Sequence, residues 1–282
     1  MPHPRISKTP QARVQASPAA LARADFEHHG YCFAPRLLPR PLVDQACRRM
    51  DAVISGEYDT GIAPFHTRFQ SDGTALHKVD QVHLSDPVLR AVCTHPAIGA
   101  WAALVSGAQR IQLWAVQMLF KAPGGGDPGA IGFHQDRWYW QYWSEDSEVF
   151  TAWVALSDIT EDSGPMRFVP RSHTWGALQQ PAAAAFSGTG ILQPGQIPGV
   201  PQDAGISEVP ALLEAGAVSF HHRLLVHGSG ANRSLLPRRA LALHLRTERS
   251  QPLAGAHDYY VSHLEDPAYC PVIYEGMSPV AP

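Results

Sequence analysis

Short apolar segments separated by glycine- and proline-rich turns make up much of the chain beyond residue 110. The clearest segment, residues 111–121, is rich in branched and aromatic side chains and ends just before Pro123 and three glycines, as a strand does at a turn. Because helical segments do not alternate regularly with such runs, the pattern predicts an antiparallel sandwich or jelly roll rather than a parallel α/β sheet. The further strand-like runs are residues 149–156, 166–169, 216–221 and 239–246.

The first hundred residues have the periodicity of helices instead. Apolar side chains recur at helical spacing over residues 42–54, and Gly56 ends that segment. Ser85-Asp86-Pro87 has the capping residue, the acid and the proline expected where a helix begins, and His95-Pro96 begins another apolar helix. We therefore predict that the N-terminal part of the chain is mostly helical.

Together these segments predict one mainly β domain (α+β) over residues 25–282. Its core is expected to be an antiparallel sandwich or jelly roll, with N-terminal helices packed on it. The expected parts are a helical layer at about 25–110, a jelly-roll core at about 111–250 and a C-terminal extension at 251–282.

Charge and cysteine content narrow the class of function. The net charge is −3, from 22 basic and 25 acidic residues, and no basic cluster is present, so neither nucleic acid nor an anionic membrane is an expected partner. Four cysteines lie far apart without a CxxC pair, which fits reduced thiols in the cytoplasm. No apolar run approaches the roughly 20 residues of a membrane span. We expect a cytoplasmic protein that is a monomer or homodimer.

A candidate metal site begins at residues 132–136, Gly-Phe-His-Gln-Asp, directly after a predicted strand and a glycine-rich loop. His134 and Asp136 are two positions apart, and on an extended segment such side chains project to the same side, so both can reach one metal ion. Two imidazoles and one carboxylate form the set that holds a non-haem Fe(II) on one face and leaves its other positions open. The candidates for the second imidazole are His227, His221, His222 and, further away, His173.

Arg238 follows His227 by eleven residues. A planar guanidinium pairs a carboxylate through two hydrogen bonds, so this arginine suits the far end of a dicarboxylate co-substrate. Arg239 is the adjacent rival. Neighbours on a strand face opposite sides, so only one of the two can point inward.

Several segments around these residues have a wider resemblance. Over about residues 75–246 the chain resembles the phytanoyl-CoA dioxygenase family, a branch of the Fe(II)- and 2-oxoglutarate-dependent oxygenases. One departure is Ser163-Gly164, where the family has Asn-Gly, and we expect it to alter only a turn. The matching segments are His134-Gln135-Asp136, residues 151–156, residues 162–173, and residues 227–234 together with Arg238.

The resemblance implies a mainly β (α+β) fold whose core is a double-stranded β-helix, the cupin-like jelly roll, with N-terminal helices packed on it. It also implies Fe(II), 2-oxoglutarate and O₂ as cofactor and co-substrates. It implies that His134, Asp136 and His227 are the iron ligands. It also implies that Arg238 and Ser229 bind the distal carboxylate of 2-oxoglutarate. The further residues expected beside the co-substrate are Trp153, Gln117 and, on a shorter match, Lys78.

The implied reaction is hydroxylation of an unactivated C–H bond of a small-molecule metabolite, with release of succinate and CO₂. Halogenating relatives have a small residue where this chain has Asp136, so the carboxylate favours oxygenation. Desaturation, epoxidation or cyclisation at the same iron site stays open. A different class also stays open, a cupin-like metal-binding isomerase or a non-catalytic binding protein, which would not need Arg238.

Aromatic side chains are concentrated directly after the candidate metal pair. Residues 138–143 contain five of them in six positions, in a chain that is only 9% aromatic. They predict a wall that accepts an apolar or cationic ligand, although packing under the barrel rim is an equal alternative for Tyr139 and Trp143. The candidate substrate contacts are Trp140, Trp138, Arg137, Phe65 and His66.

Two segments fall outside the regular pattern. Residues 1–24 contain basic side chains but no acidic one, and they are rich in proline, serine and alanine, which predicts a flexible arm; an organelle targeting segment has the same composition. Residues 175–210 are long for a turn and lie between the two halves of the candidate metal site, so we predict a lid.

Overall fold

The computed structural model describes residues 18–69, 75–181 and 192–276. The helices are α1 (Pro18–His29), α2 (Arg40–Ile54), α3 (Pro87–Cys93), α4 (Pro96–Ser106) and α5 (Tyr259–Ser262). The strands are β1 (Tyr31–Arg36), β2 (His66–Phe69), β3 (Leu76–Asp80), β4 (Arg110–Lys121), β5 (Ile131–His134), β6 (Val149–Ala155), β7 (Met166–Phe168), β8 (Val209–Pro210), β9 (Ala217–His222), β10 (His227–Ser229), β11 (Arg238–Thr247) and β12 (Val272–Glu275).

In the described ranges the strands form two antiparallel sheets. The larger has the order β1-β9-β6-β11-β4-β3-β2, with β12 also paired to β4, and the smaller has the order β5-β10-β7-β8. Strands distant in sequence are neighbours in both sheets, as in a double-stranded β-helix. The predicted jelly roll is confirmed, and the five strands expected from the sequence are β4, β6, β7, β9 and β11.

Successive side chains of β6 point to opposite sides of the large sheet. Phe150, Ala152 and Val154 belong to the main core, which the sheet shares with α1 to α4. Thr151 and Trp153 lie on the opposite side, where they line a cavity between the sheets. Each fully buried apolar side chain stabilises the fold by about 1.5–3 kcal/mol, so the helical layer holds the sheet in place while its other face remains available for function.

A β-bulge in β4 changes this alternation at Trp114. In the pairing with β11, Ala115 lies opposite His244 and Leu113 lies opposite Leu245, so Trp114 is the extra residue. Beyond the bulge, alternate residues of β4 face the cavity, and Trp114 and Ala115 both reach it. The bulge therefore adds one large aromatic side chain to the site.

Local capping explains where α3 and α4 begin and end. The Asp86 carboxylate accepts hydrogen bonds of 2.9 Å from the backbone N–H groups of Val88 and Leu89, so Asp86 is the N-cap of α3. The sequence pattern had placed the cap one residue earlier, at Ser85. Gly107, with φ of 67°, ends α4 in the left-handed conformation that glycine adopts without strain.

Residues Pro87–Ser106 are apolar and long enough, by length and composition, to cross a membrane. In the structure they form two helices, α3 and α4, separated at Thr94 and His95. Leu89 and Ile98 are fully buried in the core beneath the large sheet. Packing on the sheet therefore accounts for the high hydropathy of this stretch.

The prediction that the first hundred residues are mostly helical was incomplete, because three strands lie among the helices. β1 pairs with β9, and β3 pairs with β4, while β2 extends the same edge. These strands are only four to six residues long, and the partner of β1 is far along the chain, so their local composition gives little sign of pairing. The C-terminal extension likewise contributes β12 to the large sheet.

Helix α1 begins at Pro18 and so overlaps the last part of the predicted arm, residues 1–24. The alanine-rich segment has high helix propensity, and Ala22 is buried against the core, which favours the helix over an extended arm. Residues 1–17 lie outside the described part of the chain.

The predicted lid, residues 175–210, is described except for residues 182–191. Its described part includes a short 3₁₀ turn at Pro194–Gln196 and β8, which pairs with β7 of the small sheet. Leu178 and Ile197 are buried in a hydrophobic cluster at this side of the fold. That the segment moves as a lid stays a prediction.

Candidate active site

The two sheets bring the two halves of the metal-ligand pattern together. His134 ends β5 and His227 begins β10, and the two residues are direct partners in the antiparallel ladder. Asp136 follows β5 at the start of a 3₁₀ turn. A spacing of 93 residues in sequence therefore becomes direct contact in space.

His134, Asp136 and His227 form a compact and buried cluster. The Nε2 atom of His134 lies 3.8 Å from Asp136 Oδ1, and Nε2 of His227 lies 3.7 Å from the same oxygen. One potential ligand atom from each residue lies within 4.8 Å of the others. This spacing suits three donors directed at one metal ion.

Backbone hydrogen bonds fix the orientation of both imidazoles. Nδ1 of His134 is 2.9 Å from the carbonyl oxygen of Gly132, and Nδ1 of His227 is 2.9 Å from that of Leu225. A carbonyl oxygen only accepts, so each Nδ1 must carry the proton, and each Nε2 then presents a lone pair towards Asp136. Burial lowers the pKa of both histidines, most strongly that of His227, which keeps them neutral.

The second carboxylate oxygen of Asp136 is held by side chains. Thr151 donates a hydrogen bond of 2.8 Å to Oδ2, and His221 Nε2 lies 3.3 Å from the same atom. Burial would raise the pKa of Asp136, but His227 and His221 around it hold that pKa below its usual range. The carboxylate is therefore ionised, with Oδ1 directed at the two histidines and Oδ2 anchored.

The geometry separates the competing histidines. His221 faces the cavity from β9 and contacts Asp136, whereas the adjacent His222 is on the helix side of that strand, beside Phe26. His173 packs near His222 and not at the metal cluster. The grouping of three donors includes His227 and not these rivals.

Two basic side chains are buried next to each other beside the cluster. Arg238 and Lys121 are direct cross-strand partners on β11 and β4, and both are at most 1% exposed. Burial lowers the pKa of Arg238 to about 9, and burial together with Arg238 lowers the pKa of Lys121 well below its ordinary value. No acidic side chain of the described residues forms an ion pair with either group.

Arg238 lacks hydrogen-bond partners at all three guanidinium nitrogens within the described part of the chain. Its Cζ atom lies 5.3 Å from the centre of the Trp153 ring. Lys121 Nζ donates to Ser229 Oγ at 2.6 Å and to the Gly230 carbonyl at 2.5 Å. Because Ser229 Oγ accepts from the lysine, its own O–H proton can donate to a bound anion.

Arg239 takes the opposite direction, as strand alternation requires. Its guanidinium makes a bidentate contact with the carboxylate of Asp51 on α2, at 2.7 and 2.9 Å. Only Arg238 points inward, and Arg239 ties the strand to the helical layer.

A cavity of about 280 Å³ opens over the cluster. Five residues selected from the sequence line it in addition to the three donors. They are Lys78, Gln117, Trp140, Trp153 and Ser229. Arg238 is not among the lining residues; it is buried next to the lining residue Trp153, with Cζ 5.3 Å from the centre of that ring.

Three predicted substrate residues are not in the cavity wall. Trp138 turns the other way, and its indole N–H donates to the carbonyl of Leu178 at 2.8 Å, because the 3₁₀ turn after Asp136 reverses the side of the chain. Arg137 is 3.5 Å from the Glu145 carboxylate. Phe65 stacks on Tyr259 with ring centroids 3.5 Å apart, and His66 is in β2, where nothing is described of its side chain.

Sequence reasoning missed several residues that line the cavity. Asp80 and His244 had a usable signal, since they are two residues after Lys78 and six after Arg238 on strands with a period of two. Trp114 had none, because the bulge is set by pairing with β11. Other lining residues that were missed include Thr151, Tyr260 and the apolar Leu119, Ile131 and Met166.

The chain is similar to known proteins over most of its length. Residues 26–240 match the sequence profile of the family described as phytanoyl-CoA dioxygenase. A probable phytanoyl-CoA dioxygenase from Caenorhabditis elegans is 25% identical over 253 residues, covering 80% of this chain and 74% of that protein. Phytanoyl-CoA dioxygenase domain-containing protein 1 from Mus musculus is 30% identical over 165 residues, covering 58% and 54%.

Solved structures share the fold. The non-haem alpha ketoglutarate dependent carbocyclase SnoK from nogalamycin biosynthesis superposes with a TM-score of 0.66 at 23% identity, covering 92% of this chain and 94% of that one. The epimerase SnoN, in complex with Fe3+, alpha ketoglutarate and nogalamycin RO, gives 0.65 at 24% identity, covering 83% and 85%. The profile match, which spans most of the chain, shows that the protein belongs to the phytanoyl-CoA dioxygenase family of Fe(II)- and 2-oxoglutarate-dependent enzymes.

Proposed function

We propose that the enzyme hydroxylates an unactivated C–H bond of a small metabolite and that His134, Asp136 and His227 are its Fe(II) ligands. The observation that carries the ligand assignment is the fixed direction of all three donors. Both Nδ1–H groups are committed to backbone carbonyls, and Oδ2 of Asp136 is committed to Thr151, which leaves two Nε2 lone pairs and Oδ1 facing one point. A 2-His-1-carboxylate set of this kind suits non-haem Fe(II).

The buried basic pair fits the distal carboxylate of 2-oxoglutarate. Burying a guanidinium without hydrogen-bond partners destabilises the fold unless an anion binds to it. The planar group can donate two parallel hydrogen bonds to a carboxylate. In this proposal Arg238 binds that carboxylate with Ser229, and Lys121 orients the serine hydroxyl. Trp153, and Gln117 and Lys78 at the cavity wall, enclose the rest of the co-substrate.

When bound, Fe(II) with 2-oxoglutarate and O₂ supplies an oxidant strong enough to functionalise an unactivated C–H bond, with succinate and CO₂ as co-products. The protein positions the co-substrate and excludes water from it. Arg238 and Ser229 fix one end of the co-substrate, and Trp153 shields it from water. Asp136 keeps a carboxylate in the ligand set, which supports oxygenation over halogenation.

Desaturation, epoxidation or cyclisation is the second candidate outcome. It is kept because relatives in fold include an epimerase and a carbocyclase. A cupin-like isomerase is disfavoured, since it has no use for the buried Arg238. Product mass divides the four oxygenase outcomes into two groups: hydroxylation or epoxidation adds one oxygen, whereas desaturation or ring closure removes two hydrogens.

The test is succinate formation from 2-oxoglutarate by the purified protein with Fe(II) and O₂, across a panel of metabolites, with product mass as the second readout. We expect iron-dependent succinate that at least one metabolite stimulates, and a gain of one oxygen in that metabolite. The His134→Ala variant should form none, while His222→Gln, altered on the helix side of β9, should retain it. Iron-independent turnover, or none in any condition, would refute the proposal.

For its setting we infer the cytoplasm and a monomer or homodimer. All four cysteines are unpaired in the structure, and three of them are buried, which supports a reducing compartment.

A further inference from the structure

One part of the cavity has aromatic walls around a carboxylate. Trp114 lies edge-on to three other rings, with centroid distances of 5.1 Å to Trp140, 5.8 Å to Tyr142 and 6.0 Å to Tyr260. All four rings line the cavity together with Asp80. The rings come from β4, from the segment after the metal turn and from α5, so three separate parts of the chain converge there.

Asp80 is only 6% exposed, yet it forms no ion pair with a basic side chain of the described residues. The Tyr260 hydroxyl donates to Oδ2 at 3.2 Å, whereas Oδ1 has no hydrogen-bond partner there. Lys78 is on the same side of β3 and lines the same cavity, and we assign it to the co-substrate. A buried carboxylate with one bare oxygen in a cavity wall is a site for a cation or a strong donor.

His244 adds a second acceptor to the same cavity. The Thr151 hydroxyl has one proton, which it donates to the Asp136 carboxylate, so at 3.1 Å it must accept from Nδ1–H of His244. Nε2 of His244 is then a lone pair, and it is buried in the cavity wall without a partner among the described residues. The indole N–H of Trp114 is also without one, which provides a single donor beside the two acceptors.

On the basis of the proposed function, we propose that the substrate is a small amine, protonated at neutral pH, whose ammonium group binds Asp80 within the rings of Trp114, Trp140, Tyr142 and Tyr260. Aromatic faces attract a cation, and the carboxylate supplies its hydrogen-bond acceptor. A hydroxyl or second N–H of the substrate meets His244. A carboxylate or phosphate at this place would be repelled by Asp80.

The size and placement of the cavity further restrict the class of substrate. At about 280 Å³ it lies at or below the lower end of ligand sites, which are roughly 300–1,000 Å³, and in the proposed function it also holds the co-substrate, so the buried part of the substrate is small. His244 is linked to the iron ligand Asp136 through Thr151, whereas Asp80 is linked to Tyr260 of α5. The ammonium group therefore binds on the α5 side, and oxidation takes place at a carbon away from it.

The experiment compares amines with alcohols of the same shape on the holoenzyme. The wild-type protein is loaded with Fe(II) and 2-oxoglutarate without oxygen, and the visible charge-transfer band of the iron–keto-acid complex confirms loading. Calorimetry then measures binding of three pairs at pH 7.5: benzylamine and benzyl alcohol, phenethylamine and 2-phenylethanol, cyclohexylmethylamine and cyclohexylmethanol. We expect at least one amine to bind tenfold or more tightly than its alcohol.

Two isosteric variants test whether Asp80 causes the preference for the amine over the alcohol. Asp80→Asn should reduce the advantage of the amine to less than twofold. Asp258→Asn is the matched control, because it removes a nearby carboxylate that is not in the cavity wall, and asparagine still caps α5. It should leave the advantage within twofold of wild type.

The possible failures are distinguishable. If the wild-type band forms but no amine exceeds its alcohol, or if Asp80→Asn folds and keeps the full preference, the amine proposal is wrong while the oxygenase assignment stands. If the band never forms, the proposed function fails and the amine proposal fails with it. The comparison of amine with alcohol in wild type requires no variant, so misfolding of Asp80→Asn cannot leave the proposal undecided.

Discussion

Replacing Arg238 by methionine is expected to stabilise the protein while it destroys binding of 2-oxoglutarate. The guanidinium is 1% exposed, and its three nitrogens have no hydrogen-bond partner within the described residues. A charge held in this way destabilises the fold unless an anion meets it. Methionine has similar length and fills the space with apolar atoms, so the penalty disappears along with the charge.

The magnitude follows from the pKa of the arginine. Burial lowers that pKa from 12.5 to about 9, and at about 1.4 kcal/mol for each pKa unit this corresponds to roughly 5 kcal/mol of unfavourable free energy. The contact of the guanidinium with Trp153 offsets about 1 kcal/mol. We therefore expect Arg238→Met to raise the free energy of unfolding by up to roughly 4 kcal/mol in the absence of 2-oxoglutarate.

The assay is denaturant unfolding with Fe(II) under anaerobic conditions, with and without 2-oxoglutarate. At 100 times its Kd the co-substrate should stabilise wild type by about 2.7 kcal/mol, and it should not stabilise Arg238→Met. The control is Arg239→Met, which loses an ion pair with the half-exposed Asp51 and should cost no more than about 1 kcal/mol while keeping the response. A less stable Arg238→Met that still responds to 2-oxoglutarate would refute the reasoning.

Three further predictions follow from other contacts. Thr151→Val removes the donor to Asp136 Oδ2 without changing shape, so Fe(II) affinity in a metal titration should fall about 10- to 100-fold; unchanged affinity would mean that the carboxylate needs no anchor. His83 and His222, whose pKa values burial lowers to about 4 and about 3, stay neutral in the fold while the unfolded chain takes up protons below about pH 6.5. Stability should therefore fall from pH 6.5 to 5, by up to about 2 kcal/mol for each histidine, and His222→Gln should lose its share of that slope; equal slopes would contradict the assignment. Trp138→Phe should lower the free energy of unfolding by about 1 kcal/mol, because the hydrogen bond to the Leu178 carbonyl is lost. It should leave substrate preference unchanged, and a changed product in mass spectrometry would show that Trp138 contacts the substrate.

Local chemistry made much of the site predictable from sequence. The alternation of strands correctly predicted that only one of Arg238 and Arg239 points inward, and the same rule separates His221 from His222 on β9. The jelly roll was predictable because its longer strands have apolar composition and clear turns at their ends. These features depend on a few neighbouring residues.

Features that depend on distant pairing could not be predicted. The bulge that turns Trp114 into the cavity exists because β11 pairs with β4 in a shifted register. Tyr260 reaches Asp80 across 180 residues of sequence through a four-residue helix, which carries no signal of its own. The direction of the Trp138 side chain could not be predicted either, because a 3₁₀ turn interrupts the alternation that holds on a strand.

Anaerobic addition of Fe(II) and 2-oxoglutarate tests the central claim most directly, through the visible charge-transfer band that a keto acid gives when it chelates iron. Wild type should show the band. His227→Ala should lose both the band and bound iron, while His221→Ala, which removes a neighbour of Asp136 and not a ligand, should keep iron and show the band. No band with wild type, or iron and band retained in His227→Ala, would contradict the account.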